Sequence, residues 1–171
     1  MANHDDEGMV RRRARAVGYW ITTIVIVWEM TAGSLWDLLQ IEFTRGVFVQ
    51  LGYPSYLLLI LGAWKLPCAI ALLVPRFPRL KEWAYAGAVF TYTGASASHL
   101  FAGEGLAQWA GPAVFAAMAL ASWALRPVER RVSTSATLPP LPLRAWALPL
   151  VAIAALAALA YATLPQGPPP T

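Results

Sequence analysis

Five long apolar runs, separated by short polar stretches, dominate the hydropathy pattern of this chain. They cover residues 16–36, 54–74, 83–101, 107–125 and 144–164. Each is close to the roughly 20 residues that an α-helix needs to cross the ~30 Å hydrocarbon core of a bilayer. Because backbone polar groups in lipid must be satisfied within their own segment, we predict five transmembrane helices.

The polar stretches divide the chain into parts that we expect to differ in structure. The predicted class is an all-α membrane protein, a four-helix transmembrane bundle plus an additional C-terminal transmembrane helix that is peripheral. The parts are a disordered basic N-terminal arm (1–15), the bundle (16–125), a cytoplasmic linker (126–143), the fifth helix (144–164) and a disordered tail (165–171).

The polar stretch 37–53 after the first run has a helical pattern of its own. Phe43, Val47, Phe48 and Leu51 recur at helical spacing. This pattern predicts a short amphipathic helix that lies on the membrane surface.

Composition and charge agree with a membrane protein and indicate its orientation. Hydrophobic residues make up 58% of the chain and charged residues 13%, against about 45–50% and about 25% in soluble domains. The net charge is +4, but most Lys and Arg residues fall in short clusters between the apolar runs. By the positive-inside rule, the N-terminus is cytoplasmic and the C-terminus outside, and we expect a bacterial inner membrane. We therefore expect membrane lipid as a partner and no nucleic acid.

The scarcity of cysteine and histidine excludes two classes of membrane redox protein: thiol oxidoreductases and b-type cytochromes. Cys68 is the single cysteine, so neither an internal disulfide nor a C-x-x-C redox pair exists. Of the two histidines, His4 lies in a polar stretch and His99 in an apolar run, so intramembrane bis-histidine haem ligation is excluded. We predict no metal site and no intrinsic cofactor.

Two ionisable residues interrupt the first two apolar runs. Lys65 lies half-way along LLLILGAWKLPCAIALLVP, and Glu29 lies in the preceding run. Their depths below the same surface are about 16 Å and about 10 Å at 1.5 Å per residue. A charged residue at mid-membrane costs about 2.5–3.5 kcal/mol and usually finds a partner. We therefore predict that Lys65 pairs with Glu29, with Gly62 and Gly33 allowing close helix approach.

The third apolar run carries a polar stripe. Tyr85, Tyr92, Ser96 and His99 are spaced so that they share one helix face. His99 is within reach of the level of Glu29, so the first three runs each direct an ionisable group toward the outer half of the bundle. These groups form either a ligand-binding or proton-handling pocket or a set of structural contacts between helices.

Two tryptophans next to the ionisable residues are candidates for a flat aromatic ligand site. Trp28 precedes Glu29 and Trp64 precedes Lys65. The other tryptophans lie mostly near the ends of apolar runs, where interfacial anchors are found.

Several motifs resemble the DoxX-like family of small membrane proteins. They are LGYP, GAWKL, PRFPRLKEWAYAG and FTYTGASASH, and the resemblance covers residues 15–125. It implies a four-helix membrane bundle. The family name comes from a subunit of a thiosulfate:quinone oxidoreductase, and other members are linked to membrane redox complexes. The motif residues that it carries over are Lys65, Tyr85, Ser98 and His99, with Glu29 as the acidic residue.

Three functional hypotheses remain open. The first is a site between the first three transmembrane helices for a lipophilic, quinone-like molecule, as part of a membrane redox system that receives electrons from a partner protein. The second is a non-catalytic membrane anchor or subunit. The third is an acid–base enzyme acting on a lipid-soluble substrate, with Glu29 and His99 as the pair.

The candidate residues follow from these hypotheses. The candidate catalytic residues are Glu29, Lys65 and His99. The candidate cofactor-binding residues are Trp28, Trp64, Tyr85, Tyr92, Ser96 and Ser98.

Overall fold

The protein is all-helical, as the hydropathy pattern predicts. The computed structural model describes residues 2–127, 130 and 144–165, and within these residues it has six helices and no strand. The helices are α1 (Ala2–Leu39), α2 (Glu42–Gln50), α3 (Tyr56–Leu73), α4 (Pro78–Phe101), α5 (Leu106–Leu125) and α6 (Arg144–Ala162). The predicted short amphipathic helix is confirmed as α2, and its place on the membrane surface stays a prediction. The fold class, a membrane bundle of helices, is confirmed.

Three of the described helices are long and apolar enough to cross a membrane. These segments are Glu7–Leu39, Tyr56–Leu73 and Ala145–Ala162. They correspond to the first, second and fifth predicted spans. The other two predicted spans are helices of 24 and 20 residues, α4 and α5. They are not among the helices that are both long and apolar enough by this criterion, so their membrane-spanning role stays a prediction.

Two sequence-based boundaries are wrong in the described part of the chain. The first helix begins at Ala2, so residues 7–15 are exposed helix and not a disordered arm. It also continues to Leu39, which places Asp37 in its last turn and not in a loop. Most of the predicted linker 126–143 and most of the tail 165–171 lie outside the described residues.

The helices run up and down around α1. This helix packs against α3, α5 and α6, while α4 packs closely on α5 and less closely on α3. The core between them contains Ile26, Met30, Leu72 and Ala88. At the periphery of the bundle, α6 packs against α1 and α3, with Ile153 buried against the core. The looser contact between α3 and α4 leaves room for a groove.

One end of the bundle, here called the basic end, is closed by basic side chains that bind helix carbonyls. Lys81 Nζ donates hydrogen bonds to the carbonyls of Ala71 and Leu72, at 2.7 and 2.8 Å. Arg15 Nη2 donates to the carbonyl of Ala124 at 3.0 Å, in the last turn of α5. The final carbonyls of a helix have no intrahelical partner and carry partial negative charge, so these basic side chains cap α3 and α5 by donating hydrogen bonds to them.

Candidate functional site

A close approach of α1 and α3 positions the buried charges of the bundle. A Cβ atom added to Gly62 would lie 2.8 Å from Leu38 Cγ and 3.0 Å from the Ser34 carbonyl oxygen. The Ser34 hydroxyl donates to the Gly62 carbonyl at 2.7 Å. Only a residue without a side chain fits at position 62. This contact brings the last turns of α1 beside the middle of α3.

Lys65 is ion-paired with Asp37, not with Glu29. Lys65 Nζ donates to Asp37 Oδ2 at 2.8 Å, and the two side chains are 15% and 5% exposed. The predicted direct pair between Lys65 and Glu29 is therefore wrong. The cause is the length of α1: because the helix continues past the apolar run, Asp37 lies level with Lys65.

Glu29 nevertheless lies next to the ion pair. A Cβ atom on Gly33 would lie 2.9 Å from Lys65 Nζ and 3.2 Å from Glu29 Oε1, so both groups border the space that this glycine leaves open. The Tyr92 hydroxyl of α4 donates to Glu29 Oε2. Three helices therefore contribute to one group of side chains, here called the charge cluster: Glu29, Asp37, Lys65 and Tyr92.

The remaining polar candidates of α4 do not join this cluster. His99 Nδ1 lies 2.6 Å from Glu104 Oε2, in the turn before α5. The Tyr53 and Ser98 hydroxyls share a hydrogen bond of 2.8 Å. Ser96 donates to the Trp109 carbonyl at 3.0 Å. The polar stripe is thus distributed over separate contacts, and Glu29 and His99 do not form the acid–base pair of the third hypothesis.

Tyr85 belongs to a hydroxyl network nearer the basic end. Its hydroxyl lies 2.8 Å from Ser122 Oγ, which lies 2.7 Å from Thr23 Oγ1. The guanidinium of Arg126 lies 5.0 Å from the centre of the Tyr85 ring. These contacts connect α1, α4 and α5. They fit a role for Tyr85 in holding the helices together.

A cavity of about 490 Å³, here called the α3–α4 groove, opens between the two loosely packed helices. Trp64 and Trp83 line the groove, and 72% and 79% of their surface is exposed. Its lining is mostly apolar, and Lys65 is the charged residue among the lining side chains. The described lining residues are Met30, Leu61, Trp64, Lys65, Pro67, Cys68, Ala71, Leu80, Trp83, Ala84, Gly87, Phe90 and Thr91.

Of the predicted site residues, Lys65 and Trp64 line this groove. Trp28 is half-buried on α1 and is not among the lining residues. Cys68 lines the groove, but its thiol donates to the Ala84 carbonyl at 3.2 Å, which fits a packing role.

Other parts of the described chain offer less chemistry. A cavity of about 460 Å³ near Tyr53, Gly94 and Ser98 has no charged lining residue. Among the described residues, no three His, Cys, Asp or Glu side chains are grouped as metal ligands would be. The charge cluster and the adjoining groove are therefore the candidate site.

Comparison with known families agrees with the motifs. The profile of the DoxX-like family matches residues 21–122, which is more than half of the chain. The chain belongs to the DoxX-like family. The match includes the charge cluster and the groove, whereas α6 lies beyond it. No curated protein and no solved structure is significantly similar to the chain.

Sequence reasoning missed Asp37 and the groove. Asp37 follows Glu29 by eight residues, a spacing that keeps two side chains on roughly the same side of a helix. That spacing was the available signal, and it was hidden by the assumption that the helix ends where the apolar run ends. The groove has no comparable signal, because it depends on how closely α3 and α4 pack.

Proposed function

We propose that this DoxX-like membrane protein binds a flat, lipophilic, quinone-like molecule in the α3–α4 groove. The observation that supports the proposal is an apolar cavity of about 490 Å³ with one charged side chain, Lys65, in its lining. Binding sites for small molecules are usually concave and mostly apolar, with a few polar groups that fix orientation. The groove has this composition.

The position of each group suits a ring that carries oxygen atoms. Trp64 and Trp83 offer aromatic surfaces at the sides of the groove. Lys65 offers N–H donors, and one of these is already used by Asp37. An ammonium group has three donors, so Lys65 can bind Asp37 and a ligand carbonyl at the same time. Tyr92 and His99 are not among the described residues that line the groove, which leaves the role of ligand donor to Lys65.

A redox role follows from the proposed ligand class and needs a second protein. The chain has no internal pair of cysteines that would carry electrons. We propose that it acts as a component of a membrane oxidoreductase, in which a partner protein supplies the electrons. The same proposal places the basic end at the cytoplasmic face of a bacterial inner membrane, by the positive-inside rule.

A substitution that fills the groove tests the binding proposal without changing a charged residue. A Cβ atom on Gly87 would meet nothing within 4 Å, and Gly87 lines the groove. Gly87→Leu should therefore fold normally and fill part of the cavity. Gly111 of α5 is equally open but does not line the groove, so Gly111→Leu is the matched control.

The measurement is a thermal-shift assay in detergent with a panel of short-chain quinones. A ligand at 100 times its dissociation constant stabilises the native state by about 2.7 kcal/mol. The wild type and Gly111→Leu should melt at higher temperature with ligand, and Gly87→Leu should show most of that shift lost. If no ring compound shifts the wild type, or if Gly87→Leu responds like the control, the groove is not the site. The anchor or subunit hypothesis then leads.

A further inference from the structure

The charge cluster contains unequal numbers of acidic and basic groups. Glu29 and Asp37 are two carboxyl groups, and Lys65 is the one cation that the described part of the chain places beside them. Tyr92 adds a hydroxyl that donates to Glu29. With both carboxyl groups ionised, the cluster would carry one net negative charge in the interior of a helical bundle.

The described side chains of the surrounding helices do not supply a compensating charge. On α4, Lys81 donates to the carbonyls of Ala71 and Leu72, Glu82 pairs with Arg126 and His99 with Glu104. The sequence of α5 contains no ionisable residue, and the described side chains of α6 contain only Tyr161. The helix α2 carries Glu42 and Arg45, and neither forms an ion pair with a cluster residue among the described contacts. Because an uncompensated charge is strongly disfavoured away from water, a neutral cluster requires one additional proton.

We propose that Glu29, Lys65 and Asp37 together hold a single extra proton, and that Glu29 is the group that carries it. The contacts distinguish the two carboxyl groups. Asp37 has the direct ion pair of 2.8 Å with Lys65, which favours its ionised form. Among the described residues, Glu29 forms no ion pair of that kind, and its hydrogen-bond partner is the uncharged hydroxyl of Tyr92.

The group of residues that holds the proton lies next to the groove. Lys65 lines the groove and borders the same open space at Gly33 as Glu29. Lys65 therefore contacts the groove on one side and lies beside Glu29 on the other, so that a proton on Glu29 is close to a ligand bound at Lys65. This relation, unlike the protonation itself, rests on the proposed function: when negative charge develops on a bound carbonyl oxygen, this group of residues supplies the proton that neutralises it.

Infrared spectroscopy of the ligand-free protein tests for the extra proton directly. The full chain is measured at neutral pH in a detergent without ester groups, so that the carboxylic acid C=O stretch is not masked. Carboxyl groups in water have pKa values near 4 and are ionised under these conditions. The wild type should show one protonated carboxyl band, and Glu29→Gln should lack it. Glu104→Gln, which changes an acid outside the cluster, should keep it.

A milder variant covers the case in which Glu29→Gln does not fold. Tyr92→Phe removes the hydroxyl that donates to Glu29 and should shift the band to higher frequency. The proposal is overturned if the wild type lacks the band, if folded Glu29→Gln retains it, or if Tyr92→Phe leaves its frequency unchanged. Because no ligand is present, a band with these properties supports the extra proton on Glu29 even where quinones fail to bind.

Discussion

At the scale of single residues, two glycines determine which charges meet. Gly62 lets α1 approach α3 so closely that Asp37 and Lys65 come into contact. Gly33 leaves the space that Lys65 and Glu29 share. A charged side chain near the middle of a membrane needs a partner, and the sequence offered two acids within reach. The helix contact, not the depth of each residue along its own helix, selected between them.

A set of neutralising substitutions tests which acid is the partner of Lys65. Lys65→Met should destabilise the protein by about 3–5 kcal/mol, because it leaves the buried carboxylate of Asp37 without a counter-ion. Adding Asp37→Asn should restore more than half of that loss, whereas adding Glu29→Gln should restore little. Thermal unfolding of the three variants in one detergent provides the comparison. A larger recovery with Glu29→Gln would contradict the assigned pair.

At the scale of helices, the basic residues near the apolar runs have a structural role besides indicating orientation. Lys81 is fully buried and holds the carbonyls of Ala71 and Leu72 at the end of α3. Arg130 also donates to the Leu72 carbonyl, at 3.2 Å. The positive-inside rule counts such residues without distinguishing capping groups from solvated ones. The structure makes that distinction.

The capping role of Lys81 has a measurable consequence. Lys81→Met should cost about 1–3 kcal/mol of stability, because the buried Ala71 carbonyl loses its donor. Arg79 lies two residues earlier in α4 and is exposed, so Arg79→Met removes a basic side chain of similar length from a solvated position. The control should change the melting temperature little. Equal losses in the two variants would show that charge, and not capping, is the contribution of Lys81.

The Lys81 amine also makes stability depend on pH. Lys81 precedes the predicted span 83–101, and burial, together with the charges of Arg130 and Arg126, lowers its pKa to about 7. A neutral amine still has one N–H bond for each of its two carbonyl partners. Above pH 7 the unfolded chain binds a proton at this lysine that the folded protein lacks, so stability rises with pH.

This pH effect ends near the ordinary lysine pKa, and it distinguishes the wild type from Lys81→Met. The slope is at most about 1.4 kcal/mol per pH unit. The gap between their melting temperatures should therefore widen from pH 7 to pH 9. A constant or narrowing gap would mean that the folded protein keeps Lys81 charged.

At the scale of the whole molecule, the ends of the bundle differ in charge and in architecture. The basic end carries the capping side chains Arg15 and Lys81, whereas the opposite end carries α2 and the turn before α5. The groove opens at the side of the bundle, between α3 and α4. If the bundle spans the membrane as proposed, we expect a ligand to enter the groove from the lipid and not from either aqueous phase.

Cysteine labelling tests the proposed orientation. In a Cys68→Ala background, Ala102→Cys and Arg79→Cys place one exposed thiol at each end of the bundle. In intact bacterial cells, a membrane-impermeant maleimide should label Ala102→Cys, and it should label Arg79→Cys only after the inner membrane is opened. The reverse pattern would invert the proposed orientation.

Much of this architecture follows from the sequence alone. The lengths of the apolar runs predict the helices, because a chain in lipid must satisfy its own backbone hydrogen bonds. The spacing of Phe43 and Val47 predicts α2, which the structure confirms. The motifs around GAWKL predict the family, and the family match confirms it. Each of these features depends on neighbours along the chain.

The partners of the polar side chains depended on tertiary structure. Sequence reasoning identified Glu29 and Lys65 as buried charges, because their cost in lipid does not depend on the fold. It could not assign Asp37 to Lys65, or Glu104 to His99, because each pair requires the relative position of two segments. The groove exists for the same reason: it is space left by imperfect packing of α3 on α4, and packing is a property of facing surfaces.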